Sequence, residues 1–341
     1  MEDFEYKEYG EDYTADNGTY ENISVSGSVT FNRPRSFSVE TVMVINILIS
    51  LLGLSGNAIV IWISGFKMRT TVNTTWYLSL AISDFLFCVC LPFNIVYMAT
   101  SHWPFGLVMC KLTSSTMFLN MFSSVFLLVL IGVDRCVSIT FPVWAQNNRT
   151  VPRASGVVVL VWALSAALTV PSLVHRQIKT HGADTLCYTD YQTGHKAVAL
   201  SRFVCGFVIP LLIIVLCYSV IFVQLRSRPM KSTKPVKIMT VLIVSFFVCW
   251  VPYHTFVLLE LNLGNHSLDM LDTGLKVGGT MAAANSFLNP ILYVFMGHDF
   301  RQTLKRSVLW KIENAMAEDG RTGGRNLSKS GSFESKALTH V

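Results

Sequence analysis

Charged residues are scarce in this sequence. Only 14% of its 341 residues are Asp, Glu, Lys or Arg, whereas an ordinary soluble domain carries about 25%. Hydrophobic residues make up 51% of the chain, and its mean hydropathy is +0.46. Gly and Pro are not abundant enough to indicate a disordered chain. The composition therefore argues against a water-soluble globular protein of this size and predicts a membrane protein.

The sequence also shows no pattern typical of a signal peptide and predicts no large soluble region. Residues 1–38 are polar and contain no apolar core of the kind that a secretory signal requires. The first apolar stretch is therefore expected to remain in the mature protein. The segments outside the apolar stretches are too short to form a separate catalytic domain.

Features of two other classes of membrane protein are missing. A secondary transporter would show paired repeats and interrupted helices near the middle of the membrane, and no internal repeat is visible. An intramembrane enzyme would need facing catalytic groups, but Asp84 has no second carboxylate partner and no Ser–His or His–Glu set is found. We therefore expect no enzyme activity, and transport is an alternative that substrate-flux assays would test.

Seven apolar stretches are present, and a membrane-spanning helix needs about 20 such residues. They cover residues 40–65, 75–100, 108–133, 154–174, 200–225, 237–261 and 270–296. The predicted fold is an all-α membrane protein with a seven-transmembrane helix bundle over residues 39–296. An acidic extracellular segment, 1–38, precedes the bundle. A short amphipathic cytoplasmic helix, 297–310, and a disordered polar tail, 311–341, follow it.

Lys and Arg are distributed unevenly among the connecting loops. The loops after the first, third, fifth and seventh stretches carry them, for example Lys67, Arg149, Arg226 and Arg301, and the other loops are poorer in them. Basic loops remain in the cytoplasm. The sequence therefore predicts a multi-pass plasma-membrane protein with its N-terminus outside and its C-terminus inside.

The outer side carries further signals. Asn17 and Asn22 begin Asn-X-Ser/Thr motifs there and are predicted to be glycosylated. Of the eight cysteines, only Cys110 and Cys187 lie on this side. Because the outer environment is oxidising, we expect a disulfide between them that holds the 175–199 loop over the bundle.

Several polar side chains lie inside the apolar stretches. Asp84 is near the middle of the second, and an ionisable group at that depth is expected to face the bundle interior. Asn120 and Ser124 share one helical face, as do Asn285 and Asn289. Their oxygens suit a small hard cation or ordered water around Asp84, but the residues alone equally allow a purely structural hydrogen-bond network.

One motif in each stretch carries a family resemblance. In chain order they are Asn57 in LSGNAIV, Asp84 in LAISD, Asp134-Arg135, Trp162, Pro210 with Tyr218, CWVP at 249–252 and NPILY at 289–293. Over about residues 38–309 the chain resembles rhodopsin-like, class A G-protein-coupled receptors. The segments HWPFG, SVFLL, PVW and PYHTF are most similar to the chemerin receptor group of chemoattractant receptors, followed by formyl-peptide and anaphylatoxin receptors.

The resemblance implies a conformational switch at the inner end of the bundle. In the resting state Asp134 holds Arg135, which contacts the G protein after the sixth helix moves outward. The residues assigned to this switch are Asp134, Arg135, Tyr218, Trp250, Pro252, Asn289, Pro290 and Tyr293. Cys136 replaces the Tyr that usually follows this pair, so basal activity is left open. The alternative is an ion pair that only anchors a helix end.

The resemblance also favours sodium among the alternatives for the buried polar set. The ion would be held by Asp84, Asn120, Ser124, Asn285 and Asn289. No other cofactor is expected.

Three positions argue against other ligand classes within the family. Ala283 occupies the place of the retinal lysine of opsins, and Met117 the place of the Asp of amine receptors. Phe118 lies where formyl-peptide receptors often carry an acid. The acidic N-terminus contains tyrosines of a kind often sulfated in this family, and it would attract a basic protein ligand.

The outer half of the bundle contains the candidate ligand-binding residues. They are Arg176, Arg202, Glu260, Lys276, Asn94 and Tyr253. Arg176 and Arg202 are suited to the C-terminal carboxylate of a peptide, although Arg176 could instead extend to the membrane interface. Glu260 is expected either to pair with Lys276 or to meet a donor on the ligand.

The predicted function is that of a receptor for a chemoattractant peptide or small protein, chemerin-like, which activates a heterotrimeric G protein of the inhibitory class. Arrestin and receptor kinases are expected at the Ser/Thr-containing tail. Membrane lipid is a further partner, and nucleic acid is not. The alternative within the same group is a scavenging or arrestin-biased receptor.

Overall fold

The computed structural model of the chain describes residues 37–182, 184–190, 194–227, 234–261, 267–296 and 300–307. The predictions for the acidic N-terminal segment, for Asn17 and Asn22, and for the tail from residue 311 fall outside these residues.

Long helices make up most of the described chain. In order they are α1 Phe37–Trp62 with a π-helical turn Ile63–Lys67, α2 Val72–Thr100, α3 Gly106–Thr140, α4 Pro142–Asn148, α5 Val151–His175, α6 His195–Phe203 with a π-helical turn Val204–Val208, α7 Ile209–Ser227, α8 Lys234–Glu260 and α9 Leu268–Met296. Residues 300–307 form a last helix, α10. Helices suit a membrane because each satisfies its own backbone hydrogen bonds.

Six of the described helical segments are long and apolar enough to cross a bilayer. They are Val39–Lys67, Val72–Thr100, Gly106–Thr140, Val151–His175, His195–Arg226 and Met239–Glu260. The seventh long helix, α9, has 29 residues. It buries Asn285, Ser286 and Asn289, whose polarity lowers its hydropathy. The predicted seven-helix fold is confirmed.

The third long helix occupies the centre of the bundle. α3 contacts α2, α5, α7 and α8, and α9 packs against α8 and α1. The core beside α3 includes the buried side chains of Leu80, Met121, Phe246 and Trp250. Large apolar side chains on the outside, such as Leu160, are exposed, as expected for a surface whose solvent is lipid.

A single glycine sets the approach of α9 to α8. A Cβ placed on Gly278 would lie 2.8 Å from the backbone N and Cα atoms of Tyr253. Such a contact is too short for any side chain. Glycine therefore allows the two helices to meet closely beside Tyr253.

A β-hairpin covers one end of the bundle. Strand β1, Arg176–His181, pairs antiparallel with β2, Asp184–Thr189, so that Ile178 lies opposite Cys187. The predicted disulfide between Cys110 and Cys187 is present and ties β2 to α3. The sequence predicted a loop here, because strands of six residues give a weak alternation pattern.

Several helices are longer than predicted, and one was not predicted. α3 continues to Thr140, so Asp134 and Arg135 lie inside a helix and not at its end. α4 was not predicted. α6 begins at His195, ahead of the predicted start at 200, and this adds a helical turn before Arg202.

The described part of the segment 297–310 is amphipathic. Phe300 is buried and Leu304 packs against the bundle core, whereas Arg301, Lys305 and Arg306 are exposed. This pattern suits a helix that lies along a membrane surface.

Candidate functional site

The bundle has two chemically different ends. We call the end with β1, β2 and Cys110 the hairpin end, and the end with Asp134, Arg135 and Arg149 the arginine end. Both Cys110 and Asp134 belong to α3, and at 1.5 Å per residue they are about 36 Å apart along its axis. The two ends are therefore separated by the thickness of a membrane.

Arg202 is buried at the hairpin end. It is 7% exposed, and its Nη2 donates to Ser172 Oγ at 2.7 Å. Its Cζ atom lies 3.5 Å from the centroid of the Phe118 ring, a cation–π arrangement. Residues from α3, α5 and α6 thus fix one guanidinium inside the bundle.

Arg176 is buried beneath the hairpin. It is 3% exposed, its Nη1 donates to Thr189 Oγ1 at 2.7 Å, and its Nε lies 3.2 Å from Cys187 Sγ. This burial does not fit the alternative in which Arg176 extends to the membrane interface. Arg176 follows directly after α5, the helix that carries Ser172, the hydrogen-bond partner of Arg202, so both arginines lie beside the same end of α5.

An acidic group faces the start of α6. Glu260 is 7% exposed, and its Oε2 lies 3.9 Å from His195 Nε2. Lys276 has a different acidic neighbour, because its Nζ lies 2.7 Å from Asp272 Oδ2. The structure therefore does not show the pairing of Glu260 with Lys276 that the sequence suggested.

The remaining candidates line a cavity beside this cluster. Asn94, Tyr253 and Lys276 contribute to its wall together with Phe118, and its volume is about 40 Å³. A volume of this size holds water molecules but not a peptide side chain. Phe118 connects the cavity with Arg202, and a ligand that enters must displace side chains here.

Aromatic rings lead from the cavity toward the middle of the bundle. The ring centroids of Phe118 and Tyr253 are 6.4 Å apart, those of Tyr253 and Trp250 are 5.7 Å apart, and those of Trp250 and Phe246 are 5.9 Å apart. Pro252 lies inside α8 next to these rings, where it removes a backbone donor and favours a kink. These rings form a continuous packed column from the cavity toward the centre of the bundle.

Asp84 lies at the centre of the bundle and is fully buried. Its Oδ1 accepts a hydrogen bond from Asn120 Nδ2 at 2.8 Å, and its Oδ2 accepts one from Asn289 Nδ2 at 2.8 Å. Ser286 Oγ donates to Asn120 Oδ1 at 3.4 Å, and the carbonyl oxygen of Ser286 accepts from Asn57 at 2.8 Å. Helices α2, α3 and α9 thus meet at one carboxylate, and α1 joins the network through Ser286.

The predicted ligands Ser124 and Asn285 have unused polar atoms. Both are 1% exposed, and neither Ser124 Oγ nor the amide of Asn285 has a hydrogen-bond partner among the described residues. Buried polar groups of this kind call for a ligand, an ion or water. No cluster of three or more His, Cys, Asp or Glu occurs in the described ranges. A cation here would therefore use Asp84 with neutral oxygens. Asn120 and Asn289 direct Nδ2 at the carboxylate, so each amide would have to rotate to offer its oxygen to the ion.

Asp134 has an unexpected main partner at the arginine end. Arg149 donates two hydrogen bonds to its carboxylate, from Nε to Oδ1 at 2.7 Å and from Nη2 to Oδ2 at 3.0 Å. Arg135 Nε is 3.8 Å from Asp134 Oδ2. Both arginines also donate through Nη2 to Asn73 Oδ1. The expected resting contact between Asp134 and Arg135 is therefore one part of a cluster of four residues, Asn73, Asp134, Arg135 and Arg149.

Asn73, Arg149 and Ser286 belong to these clusters, although no functional role was predicted for them. Arg149 contributed only to the loop charges, and Asn73 is in an Asn-X-Ser/Thr motif on the predicted inner side. Ser286 had the clearest signal, since it is a polar residue between two predicted ligands. Tyr218 lies within electrostatic range of Arg135, and the side chain of Tyr293 falls outside the described residues.

These observations define a class of protein: a multi-pass membrane protein with seven long helices, a buried polar centre and a distinct charged cluster at each end. The chain matches the family described as 7 transmembrane receptor (rhodopsin family) over residues 56–293. It belongs to this family, whose members are receptors and not enzymes.

Curated relatives extend the similarity to most of the chain. Chemerin-like receptor 1 of Rattus norvegicus is 40% identical over 334 residues, which cover 91% of this chain and 88% of that protein. The C3a anaphylatoxin chemotactic receptor of Oncorhynchus mykiss is 42% identical, with coverage of 79% and 77%. Formyl peptide receptor 2 of Mus musculus is 38% identical, with coverage of 84% and 88%.

Proposed function

We propose that the protein is a plasma-membrane receptor for a chemoattractant peptide or small protein of the chemerin type. It activates a heterotrimeric G protein of the inhibitory class. The similarity to receptors named for chemerin, C3a and formyl peptides supports the ligand class. Arrestin and receptor kinases act on the tail, and a scavenging or arrestin-biased receptor is the alternative within this group.

The orientation places the hairpin end outside and the arginine end in the cytoplasm. The disulfide between Cys110 and Cys187 supports this, because disulfides persist in oxidising surroundings. The basic residues Arg149 and Arg301 support it as well, because positive loops remain in the cytoplasm. In this orientation α10 lies along the inner membrane surface, and Asn17 and Asn22 are on the side where glycans are attached.

The observation that carries the ligand proposal is the corner formed by Arg176 and Arg202. A cation inside a membrane bundle is expensive and usually marks a functional site. A guanidinium binds a carboxylate with two parallel hydrogen bonds. The C-terminal carboxylate of a peptide therefore fits this corner, and Glu260 is available to a donor group of the same ligand.

Ligand binding acts on the switch through the aromatic column. A peptide that displaces Phe118 and Tyr253 shifts Trp250, and the kink at Pro252 lets the other half of α8 swing outward. Arg135 then leaves Asp134 and Asn73 and contacts the G protein, and Tyr218 and Tyr293 stabilise it there. Asn289 and Pro290 in α9 adjust with this movement. Such a change requires that the ligand bind one state more tightly than the other.

The central site is proposed to hold sodium. Asp84, Asn120, Ser124, Asn285 and Asn289 would hold the ion, and Ser286 orients Asn120. A bound ion would supply a positive charge to a carboxylate that is otherwise buried among neutral groups. Because the site lies between the two ends, its occupancy would bias the equilibrium between resting and active bundles.

The experiment is a panel of chemoattractant peptides applied to cells that express the receptor. Each peptide is supplied as a free acid and as a C-terminal amide, and both G-protein activation and arrestin recruitment are measured. We expect a free-acid peptide to activate the G protein and its amide to be weaker. Arrestin recruitment or peptide uptake without G-protein activation would favour the scavenging alternative. If no peptide or protein produced G-protein activation, arrestin recruitment or uptake, the receptor proposal would be contradicted.

A further inference from the structure

A second cavity lies at the arginine end, between α2, α3, α4 and α5. Its volume is about 530 Å³, within the range of about 300–1,000 Å³ that small-molecule sites occupy. Its wall includes Trp76, Leu130, Asp134, Trp144, Arg149, Arg153 and Val157. Most of the surface is apolar, and the charged groups gather at one end.

The cavity is on the lipid-facing side of the bundle. Trp144 in its wall is 58% exposed, and Val159 and Leu160, which follow Val157 on α5, are 66% and 68% exposed. Leu130 is one turn farther from the arginine end than Asp134, and Val157 is one turn farther than Arg153. The apolar part of the cavity therefore extends into the membrane from the charged part.

The charged part contains N–H donors that make no hydrogen bond with a described residue. Arg149 uses Nε and Nη2 for Asp134 and Asn73, and its Nη1 has no hydrogen bond with a described residue. Within the described part of the chain Arg153 donates through Nη1 alone, to the backbone oxygen of Asn148 at 3.1 Å and to its Oδ1 at 2.6 Å. With two arginines and one aspartate in the wall, one positive charge is in excess.

Trp76 contributes a third donor. It is 4% exposed, and its Nε1 has no hydrogen-bond acceptor among the described residues. Trp76 is about one helical turn from Asn73, which binds Arg149. A buried N–H without an acceptor is unfavourable, and an oxygen inside the cavity within reach of Trp76 would remove that cost.

We propose that this cavity binds a membrane phospholipid with a phosphate monoester headgroup. The phosphate takes hydrogen bonds from Arg149, Arg153 and Trp76, and one acyl chain lies along the apolar wall. Three donor side chains match the three acceptor oxygens of a phosphate monoester, whereas a carboxylate offers only two. Anionic lipids are enriched in the cytoplasmic leaflet, and the placement of the arginine end in that leaflet rests on the proposed function.

The test counts bound lipids directly. Purified full-length receptor is titrated with dioleoyl phosphatidic acid in detergent, and native mass spectrometry resolves the free and lipid-bound forms. Arg153→Gln and Trp76→Phe each remove one donor, and we expect each to weaken binding about tenfold, since a hydrogen bond to a charged group contributes this much. Arg69→Gln is the matched control: it removes a charge from the exposed residue Arg69, which is not part of the cavity wall.

Each outcome decides the proposal. Loss of binding in both variants with normal binding in Arg69→Gln supports the site, provided that the thermal unfolding midpoints are unchanged. Equal weakening by Arg69→Gln would show diffuse charge attraction and overturn it. Oleate binding as tightly as phosphatidic acid, or unchanged binding by Arg153→Gln and Trp76→Phe, would also overturn it. Lipid counting needs neither agonist nor G protein, so its failure is separate from failure of the proposed receptor function.

Discussion

The two ends of the bundle use arginine differently. At the hairpin end, Arg202 contacts a hydroxyl and an aromatic face, and Arg176 contacts Thr189 and Cys187. At the arginine end, Arg149 and Arg135 converge on Asp134 and Asn73. At the hairpin end the two guanidiniums lie beside hydroxyl, sulfur and aromatic groups, with Glu260 buried at the same end. At the arginine end two guanidiniums share one carboxylate. The arginine end therefore contains an internal ion-pair cluster suited to a switch, and the hairpin end contains buried cations of the kind that can bind a ligand carboxylate.

The largest effect should come from removing the arginine that the switch moves. Arg135→Ala is expected to abolish G-protein activation, because Arg135 is the residue proposed to contact the G protein after α8 moves outward. Surface expression and ligand binding at the distant hairpin end should be largely retained. Nucleotide exchange by the G protein is the measurement, and full exchange in the variant would show that Arg135 has no such role.

Neutralising Arg202 tests the hairpin end. Arg202→Gln should weaken a free-acid peptide agonist by about 2–5 kcal/mol, as when one partner of a buried charge pair is truncated. The C-terminal amide of the same peptide should lose much less, because it carries no carboxylate. Lys196→Gln is the control, since Lys196 is an exposed cation on the same helix. Equal losses for the acid and amide in competition binding would make Arg202 a structural residue.

Asp84 tests whether the centre couples the two ends. Asp84→Asn removes the charge of the proposed sodium site, so agonist affinity should no longer depend on sodium concentration. Couplings between sites are typically about 1–3 kcal/mol, so the sodium effect to be lost is of that size. Agonist binding in sodium and in a larger organic cation at equal ionic strength measures it. A variant as sensitive to sodium as the parent receptor would place the ion elsewhere.

Substitution of Arg149 should have the smallest effect on signalling, and it distinguishes which arginine holds Asp134 in the resting state. Because Arg149 holds Asp134 more closely than Arg135 does, Arg149→Gln should loosen the resting cluster and raise basal nucleotide exchange several-fold. The pair is partly exposed, so we expect about 1 kcal/mol. Arg69→Gln again serves as the control. Unchanged basal exchange would leave the direct contact between Asp134 and Arg135 as the resting lock.

Much of the architecture could be predicted because its signals are local. Seven apolar stretches gave seven helices, and Asp84, Asn120 and Asn289 met at the predicted depth because a buried carboxylate in a membrane needs polar neighbours. The pairing of Cys110 with Cys187 followed from which cysteines lie on the outer side. The hairpin, α4 and the extension of α3 were missed, since short strands and helix ends have weak sequence signals.

The sequence alone determined the number of membrane-spanning helices, their polar centre and the residue types at each end, because hydropathy and helical spacing depend on near neighbours. Only the tertiary structure decided which partners meet. Arg149 reaches Asn73 across 76 positions of the chain, and Arg202 lies over Phe118 from another helix. These contacts depend on how each helix is rotated about its own axis against its neighbours, and packing of the whole bundle sets that rotation.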